Sequence, residues 1–181
     1  MLVKGHQLWR KIERFPKPVI ACLNGFTFGA ACELSLCCHF RIMEKRKGAK
    51  IGLPELNLGM IPAWGGTQRL PRLIGKVKAL ELILLSRHIT PDEALGIGLI
   101  NQVSEDGKVM EDAMALAELL VKKPPLAVTS ALKMIELTFD TPLDDGIMVE
   151  VEEMKKLQTS QDIIEGFMAF MEKREPVFKG A

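Results

Sequence analysis

Apolar residues recur at helical spacing near the start of the chain: Leu8, Trp9 and Ile12, followed by Phe15, lie on or near one face. This predicts an amphipathic helix over residues 4–14, stopped by Pro16 and Pro18. The pattern then changes. Val19–Leu23 is a short continuous apolar run between Pro18 and Asn24-Gly25, the signature of a buried strand feeding a tight turn. Residues 26–30 read as a small-residue loop, and 31–38 as a buried helix. Further short strands are predicted at 40–43, 51–53 and 99–103, with a charged turn over 44–50.

Helical periodicity returns from residue 67. A flexible lead-in, Gly65-Gly66, precedes a helix starting near Thr67, and Val77, Leu80, Ile83 and Leu84 mark helix over 77–86. Thr90-Pro91-Asp92-Glu93 spells a helix start, with Thr90 as N-cap, Pro91 in the first turn and Glu93 closing a capping box. Beyond residue 108 the chain reads as helix to its end, over about 108–122, 126–138, from Pro142 onward, and again after a weak stretch at 158–162. Strands mixed with helices followed by a helical tail indicate an α/β fold with an α-helical C-terminal part. No internal repeat or low-complexity segment is visible.

Composition narrows the function classes. The 181 residues suit one domain. Lys and Arg number 24 against 23 Asp and Glu, a net charge of +1, which argues against a surface built for nucleic acid or anionic membrane. No apolar run approaches the ~18–20 residues of a membrane span. The N-terminus lacks the pattern of a secretory signal. Cys22, Cys32, Cys37 and Cys38 read as buried thiols in a reducing, cytoplasmic setting. His6, His39 and His88 have no metal-ligand spacing, so no metal site is expected. Gly-x-Ser-x-Gly, Gly-x-Gly-x-x-Gly and Walker patterns are missing from the sequence.

Two carboxylates are the best candidates for chemistry. Glu33 lies within an apolar helix beside Leu34, Leu36, Cys37 and Cys38, and Glu55 follows Leu53-Pro54 ahead of Leu56, Leu58, Met60 and Ile61. A buried carboxylate needs a partner or a purpose. The plainer alternative is a helix-edge Glu and a turn Glu, solvated or ion-paired. The small residues of 25–31 let backbone approach a ligand, and a helix starting near Ala30 aims free N–H groups outward. Such a group can stabilise an oxyanion, or the stretch can serve packing alone.

In order along the chain, Lys17-Pro-Val-Ile-Ala-Cys-Leu-Asn-Gly25, Gly29-Ala-Ala-Cys-Glu-Leu34, Gly52-Leu-Pro-Glu-Leu-Asn-Leu-Gly59, Ile61-Pro62 and Gly65-Gly-Thr-Gln-Arg-Leu-Pro-Arg-Leu-Ile-Gly75 occur. With Ala94–Ile100 and the ending Ala169–Arg174 and Phe178, they resemble the enoyl-CoA hydratase/isomerase (crotonase) family over essentially the whole chain. The resemblance implies a crotonase-like spiral of ββα units, here a shortened core over 1–105 carrying the active site, and a helical trimerisation region over 106–181. It implies an acyl-CoA thioester substrate, as in fatty-acid β-oxidation, with coenzyme A as part of the substrate and no separate cofactor. Glu33 and Glu55 match the family's catalytic glutamates, and Ala30 matches the residue whose N–H forms half of the oxyanion hole. Phe26, Ala63, Trp64, Phe170 and Lys173 match substrate-binding positions, the last two often serving a neighbouring subunit. A homotrimer or dimer of trimers is the implied assembly.

Three departures from the family pattern stand out. Members usually carry roughly a third more chain before the Lys17 segment, including the loop that supplies the other oxyanion N–H, and a shortened chain is expected to lose on the order of a hundredfold in rate. Ala30 and Ala31 replace glycines, which requires negative φ there. Ala63-Trp64 stands where the family often has Gly followed by a variable residue, and Trp64 either lines the acyl pocket or packs. The implied activity is enoyl-CoA hydration. The alternatives are an isomerase, a cyclic dienoyl-CoA hydratase, or a non-catalytic remnant that retains the oligomer surface.

Overall fold

A computed structural model describes residues 2–181, leaving Met1 and the Leu2 side chain outside the description. The chain forms two compact units, one of residues up to Glu13 with Val19–Ala115, the other of Arg14–Pro18 with Leu116–Ala181.

The first unit opens with helix α1, Leu2–Glu13, whose last turn carries Arg10 and Lys11 as the helix dipole favours. Then come β1 (Ile20–Leu23), β2 (Thr27–Phe28), α2 (Ala30–Leu36), β3 (Phe40–Lys45) and β4 (Ile51–Gly52). A 3₁₀ turn over Glu55–Leu58 leads to α3 (Gly66–Leu84), followed by β5 (His88–Ile89), α4 (Pro91–Gly96) and β6 (Gln102–Glu105). Pairing reveals the spiral: β1 pairs parallel with β3, with Ile20 opposite Phe40, and β2 pairs parallel with β4, with Thr27 opposite Ile51. Strand, strand and helix therefore repeat, each turn laying its strands beside those of the last. β6 extends the first sheet in the order β1-β3-β6, and β5 closes the second as an antiparallel neighbour of β4. The fold is an α/β spiral of strand–strand–helix units with an α-helical C-terminal region.

The core of this unit is apolar: Cys32, Leu36, Met43, Ile51, Leu53, Leu70, Leu82 and Leu99 pack in one cluster. Arg41 is buried in the same unit, with no carboxylate partner among the described residues. Its guanidinium instead donates to the carbonyls of Leu99 at 2.8 Å, Ser35 at 3.1 Å and Cys38 at 2.6 Å, tying down the C-terminal end of α2. The capping box at Thr90 forms as expected. Three expectations need correction. The 26–30 loop contains β2, and β5 was not foreseen. Leu99 and Ile100 are buried but precede the strand, which begins at Gln102. The two helical stretches around 67 and 77 run together as α3, bent where Gly75 takes φ 78°.

The helical unit takes up the later part of α5 (Val109–Val121), then α6 (Pro125–Leu137), α7 (Leu143–Leu157) and α8 (Gln161–Glu172). Acidic first turns and a basic last turn on α7 complement its dipole. Its buried groups are largely polar. Glu153 accepts hydrogen bonds from Lys133, Lys156 and the Ser130 hydroxyl, and the two lysines hold its carboxyl down at about 2. Asp162 accepts the N–H groups of Lys179 and Gly180 at 2.7 and 2.9 Å, folding the C-terminal segment back onto α8. No described helix is long and apolar enough to cross a membrane.

Candidate active site

The site follows from the register of the second sheet. β2 and β4 run parallel, so their C-terminal ends lie side by side. Beyond β2, Gly29 extends the ladder by donating to the carbonyl of Gly52 at 3.2 Å. It adopts φ 57°, a left-handed geometry that glycine reaches without strain, and releases the chain into α2. Beyond β4, Leu53-Pro54 leads directly to Glu55 at the head of the 3₁₀ turn. The two exits meet: a Cβ on Gly29 would sit 3.3 Å from Glu55 Oε1. Ala30 and Ala31 lie within α2 and neither has positive φ, so alanine is accommodated and the left-handed residue is Gly29. As the first residue of α2, Ala30 has an N–H without an intrahelical acceptor.

Glu33 lies one turn into α2 and is 1% exposed. Its Oε1 accepts the backbone N–H of Trp64 at 2.9 Å and of Gly66 at 2.7 Å. Gly66 is the first residue of α3, so the carboxylate caps that helix across 33 residues of sequence. A Cβ at Gly66 would stand 2.9 Å from Oε1, and glycine is what lets the backbone come this close. Burial pushes the Glu33 carboxyl above its usual range. The two N–H donors pull it down, Glu55 pushes it up, and Arg69 pulls it down. Among the described residues, the buried side-chain oxygens lacking any hydrogen-bond partner are two: Oε2 of Glu33 and Oε2 of Glu55. Such orphaned acceptors are costly unless water or a ligand meets them.

Cys32, next to both glutamates, is an inert core thiol whose pKa burial pushes up to about 12. All four cysteines are free; Cys32 and Cys37 are buried, whereas Cys22 and Cys38 are only partly so. His39 is committed to structure. Its Nδ1 accepts the N–H of Val19 at 2.9 Å and its Nε2 faces the Glu13 carbonyl at 3.2 Å. The described residues contain no cluster of three or more His, Cys, Asp or Glu suited to a metal.

A whole-chain comparison fits this geometry. The sequence profile of the enoyl-CoA hydratase/isomerase family matches residues 3–181. The chain belongs to the enoyl-CoA hydratase/isomerase family. Among its curated relatives is a "probable enoyl-CoA hydratase" of Bacillus subtilis, 43% identical over 98% of this chain and 68% of that protein. A crotonyl-CoA hydratase of Syntrophomonas wolfei is 39% identical over 96% of this chain and 66% of its own length. The crystal structure of an enoyl-CoA hydratase from Bacillus anthracis superposes with a TM-score of 0.94 at 38% identity, covering 99% of this chain and 69% of that one. The chain thus spans about two thirds of the length of these family members.

The remaining family-matched positions belong to both units. Phe26 is 70% exposed, its ring 5.7 Å from Phe28, which stacks on His88 at 4.2 Å. Ala63 is exposed in the loop before α3. Trp64 contributes its N–H to Glu33, while its ring packs on Trp9 at 5.1 Å and His6 at 5.9 Å. Phe170 and Lys173 belong to the helical unit. Phe170 is 83% exposed on α8, and Lys173 ends that helix in a left-handed conformation (φ 54°). Sequence reasoning missed the Trp64 and Gly66 N–H clamp. Its trace was the Gly65-Gly66 pair, which reads as flexibility until the carboxylate opposite it is seen.

Proposed function

We propose that this chain carries the acid–base centre of an enoyl-CoA hydratase, adding water across the 2,3 double bond of an enoyl-CoA thioester. The observation that carries the reading is the pair of buried, unpartnered Oε2 atoms on Glu33 and Glu55, at the joined exits of β2 and β4. Hydration needs a base for water and an acid for the α-carbon, and two coupled carboxylates divide that work.

In this reading Glu33 takes a proton from water as the oxygen bonds to C3. Burial raises its pKa above the ordinary carboxylate value, the direction a general base needs. Glu55 enters protonated and delivers its proton to C2. Between these events the thioester oxygen gathers negative charge, and the Ala30 N–H stabilises it. Water ends divided between C3 and C2, and one proton passes back from Glu33 to Glu55 to reset the pair. No separate cofactor enters this reaction.

The relatives named as hydratases support hydration over isomerisation. The test is loss of enoyl-thioester absorbance on adding the protein to crotonyl-CoA, with Glu55→Gln run beside it. Turnover that vanishes in the variant supports the reading. Turnover retained in Glu55→Gln contradicts it.

The exposed apolar residues Met148, Val151 and Met154 on α7, and Phe167, Phe170 and Met171 on α8, support self-association as a homotrimer or dimer of trimers. Light scattering at three or six chain masses is the expected outcome, and a monomer at micromolar concentration contradicts it.

A further inference from the structure

We propose that Arg69, anchored by Glu13, is the positioning residue for Glu33, fixing the Trp64–Gly66 loop so that two N–H groups occupy one carboxylate oxygen and leave the other to the substrate water. This rests on the reading of Glu33 as a catalytic carboxylate.

The guanidinium sits between two anchors. Its Nε is ion-paired with Glu13 Oε1, and its Nη1 donates to the carbonyl of Trp64 at 2.9 Å. Arg10 pairs with the other oxygen of Glu13 at 2.9 Å. Glu13 ends α1, and its backbone carbonyl is held by the His39 ring, so the anchor is rigid at both main chain and side chain. The Glu13 and Arg69 side chains are largely shielded from water, unlike an exposed pair whose contribution solvent would erase.

The loop is fitted to this guanidinium. Gly65 adopts φ 98°, and a Cβ there would fall 1.9 Å from Arg69 Nη1. The Arg69 N–H donates back to the Gly65 carbonyl at 2.9 Å. Trp64 is therefore held at its carbonyl by Arg69 while its N–H reaches Glu33, and Gly66 supplies the second donor two residues on. The charge is felt as well. Glu33 is faced by Glu55 from the 3₁₀ turn, by Arg69 from α3, and by the Cys32 and Cys37 thiols of its own helix. Of these, Arg69 is the one cation, and it opposes both burial and Glu55.

The test is a ¹³C-carboxyl NMR titration of Glu33, assigned with Glu33→Gln, in wild type, Arg69→Gln, Arg69→Lys and Glu13→Gln, alongside crotonyl-CoA hydration. In Arg69→Gln the Glu33 midpoint moves upward, the Trp64 and Gly66 amide proton signals lose their downfield shift, and kcat drops about tenfold with little change in KM. Arg69→Lys restores the midpoint because it keeps the charge, but only part of the rate because it loses the fork. Glu13→Gln shifts the two amide signals in the same direction by a smaller amount. An unchanged midpoint and unchanged amide signals in both Arg69→Gln and Glu13→Gln would overturn the proposal. If Arg69→Gln fails to fold, Glu13→Gln decides by the same amide signals. The titration needs no turnover, so an inactive wild type would count against the hydratase reading alone.

Discussion

Glu33 and Glu55 stand in contrasting surroundings. Glu33 is held by its carboxylate: one oxygen caps α3 through the Trp64 and Gly66 N–H groups, and the helix that carries it is pinned at its far end by Arg41. Glu55 is held by its backbone. It opens a short 3₁₀ turn, its carbonyl accepts the Met60 N–H at 3.1 Å, and Gly59 closes the turn at φ 71°. In the proposed reading, the first carboxylate serves the fold with one oxygen and the chemistry with the other. The second is set in place by main-chain geometry, and its buried Oε2 has no hydrogen-bond partner. A base that must orient water gains from being clamped, and an acid that must follow a proton to carbon gains from freedom.

Three substitutions and one pH profile sharpen or break this contrast. The largest effect is expected for Glu55→Gln, which removes the acid and touches no clamp. Crotonyl-CoA hydration falls about 10³-fold or more, while thermal unfolding is little changed. Glu33→Gln follows, at about 10²–10³-fold. Its amide oxygen accepts the same two N–H groups, so circular dichroism stays native while the basic oxygen is lost. Third comes Gly66→Ala. Its Cβ would press within 2.9 Å of Glu33 Oε1 and 3.0 Å of Leu53 Cδ1, so about 1–3 kcal/mol of stability is lost in denaturant titration, and turnover falls about tenfold.

The smallest effect is in stability against pH. Burial raises the folded-state pKa of Glu33 above its ordinary 4.5. The folded state then binds this proton more tightly than the unfolded one. Its favourable contribution is complete below pH 4.5 and is lost as pH rises through the folded-state value. Thermal midpoints of wild type and Glu33→Gln, compared from pH 4 to 8, should shift in favour of the variant as pH rises. A constant difference would show that the clamp already offsets the desolvation of the carboxylate.

Much of this was legible in the sequence because it is local. Thr90 to Glu93 forms its capping box within four residues, and α5, α6 and α7 begin where acidic first turns and prolines direct them. The burial of Glu33 followed from its apolar neighbours. Elements made by their neighbours were not legible. β2 and β5 are two residues each, too short for an alternation to register, and exist because β4 lies between them. The link between Glu33 and Gly66, and that between Arg69 and Glu13, join residues 33 and 56 apart, and no periodicity reports such contacts. The ring of Trp64 illustrates the same limit: its packing on Trp9 and His6 depends on where α1 comes to rest.

The central claim is that the two carboxylates act as one unit on one water. The most direct measurement is the kcat for crotonyl-CoA hydration in wild type, Glu33→Gln, Glu55→Gln and the double variant. Residues acting as a unit are strongly non-additive. The account predicts that the double variant is no more than a few-fold slower than the worse single variant. Losses that multiply, so that the double variant shows the product of the two single effects, would contradict it and make the two glutamates independent of each other.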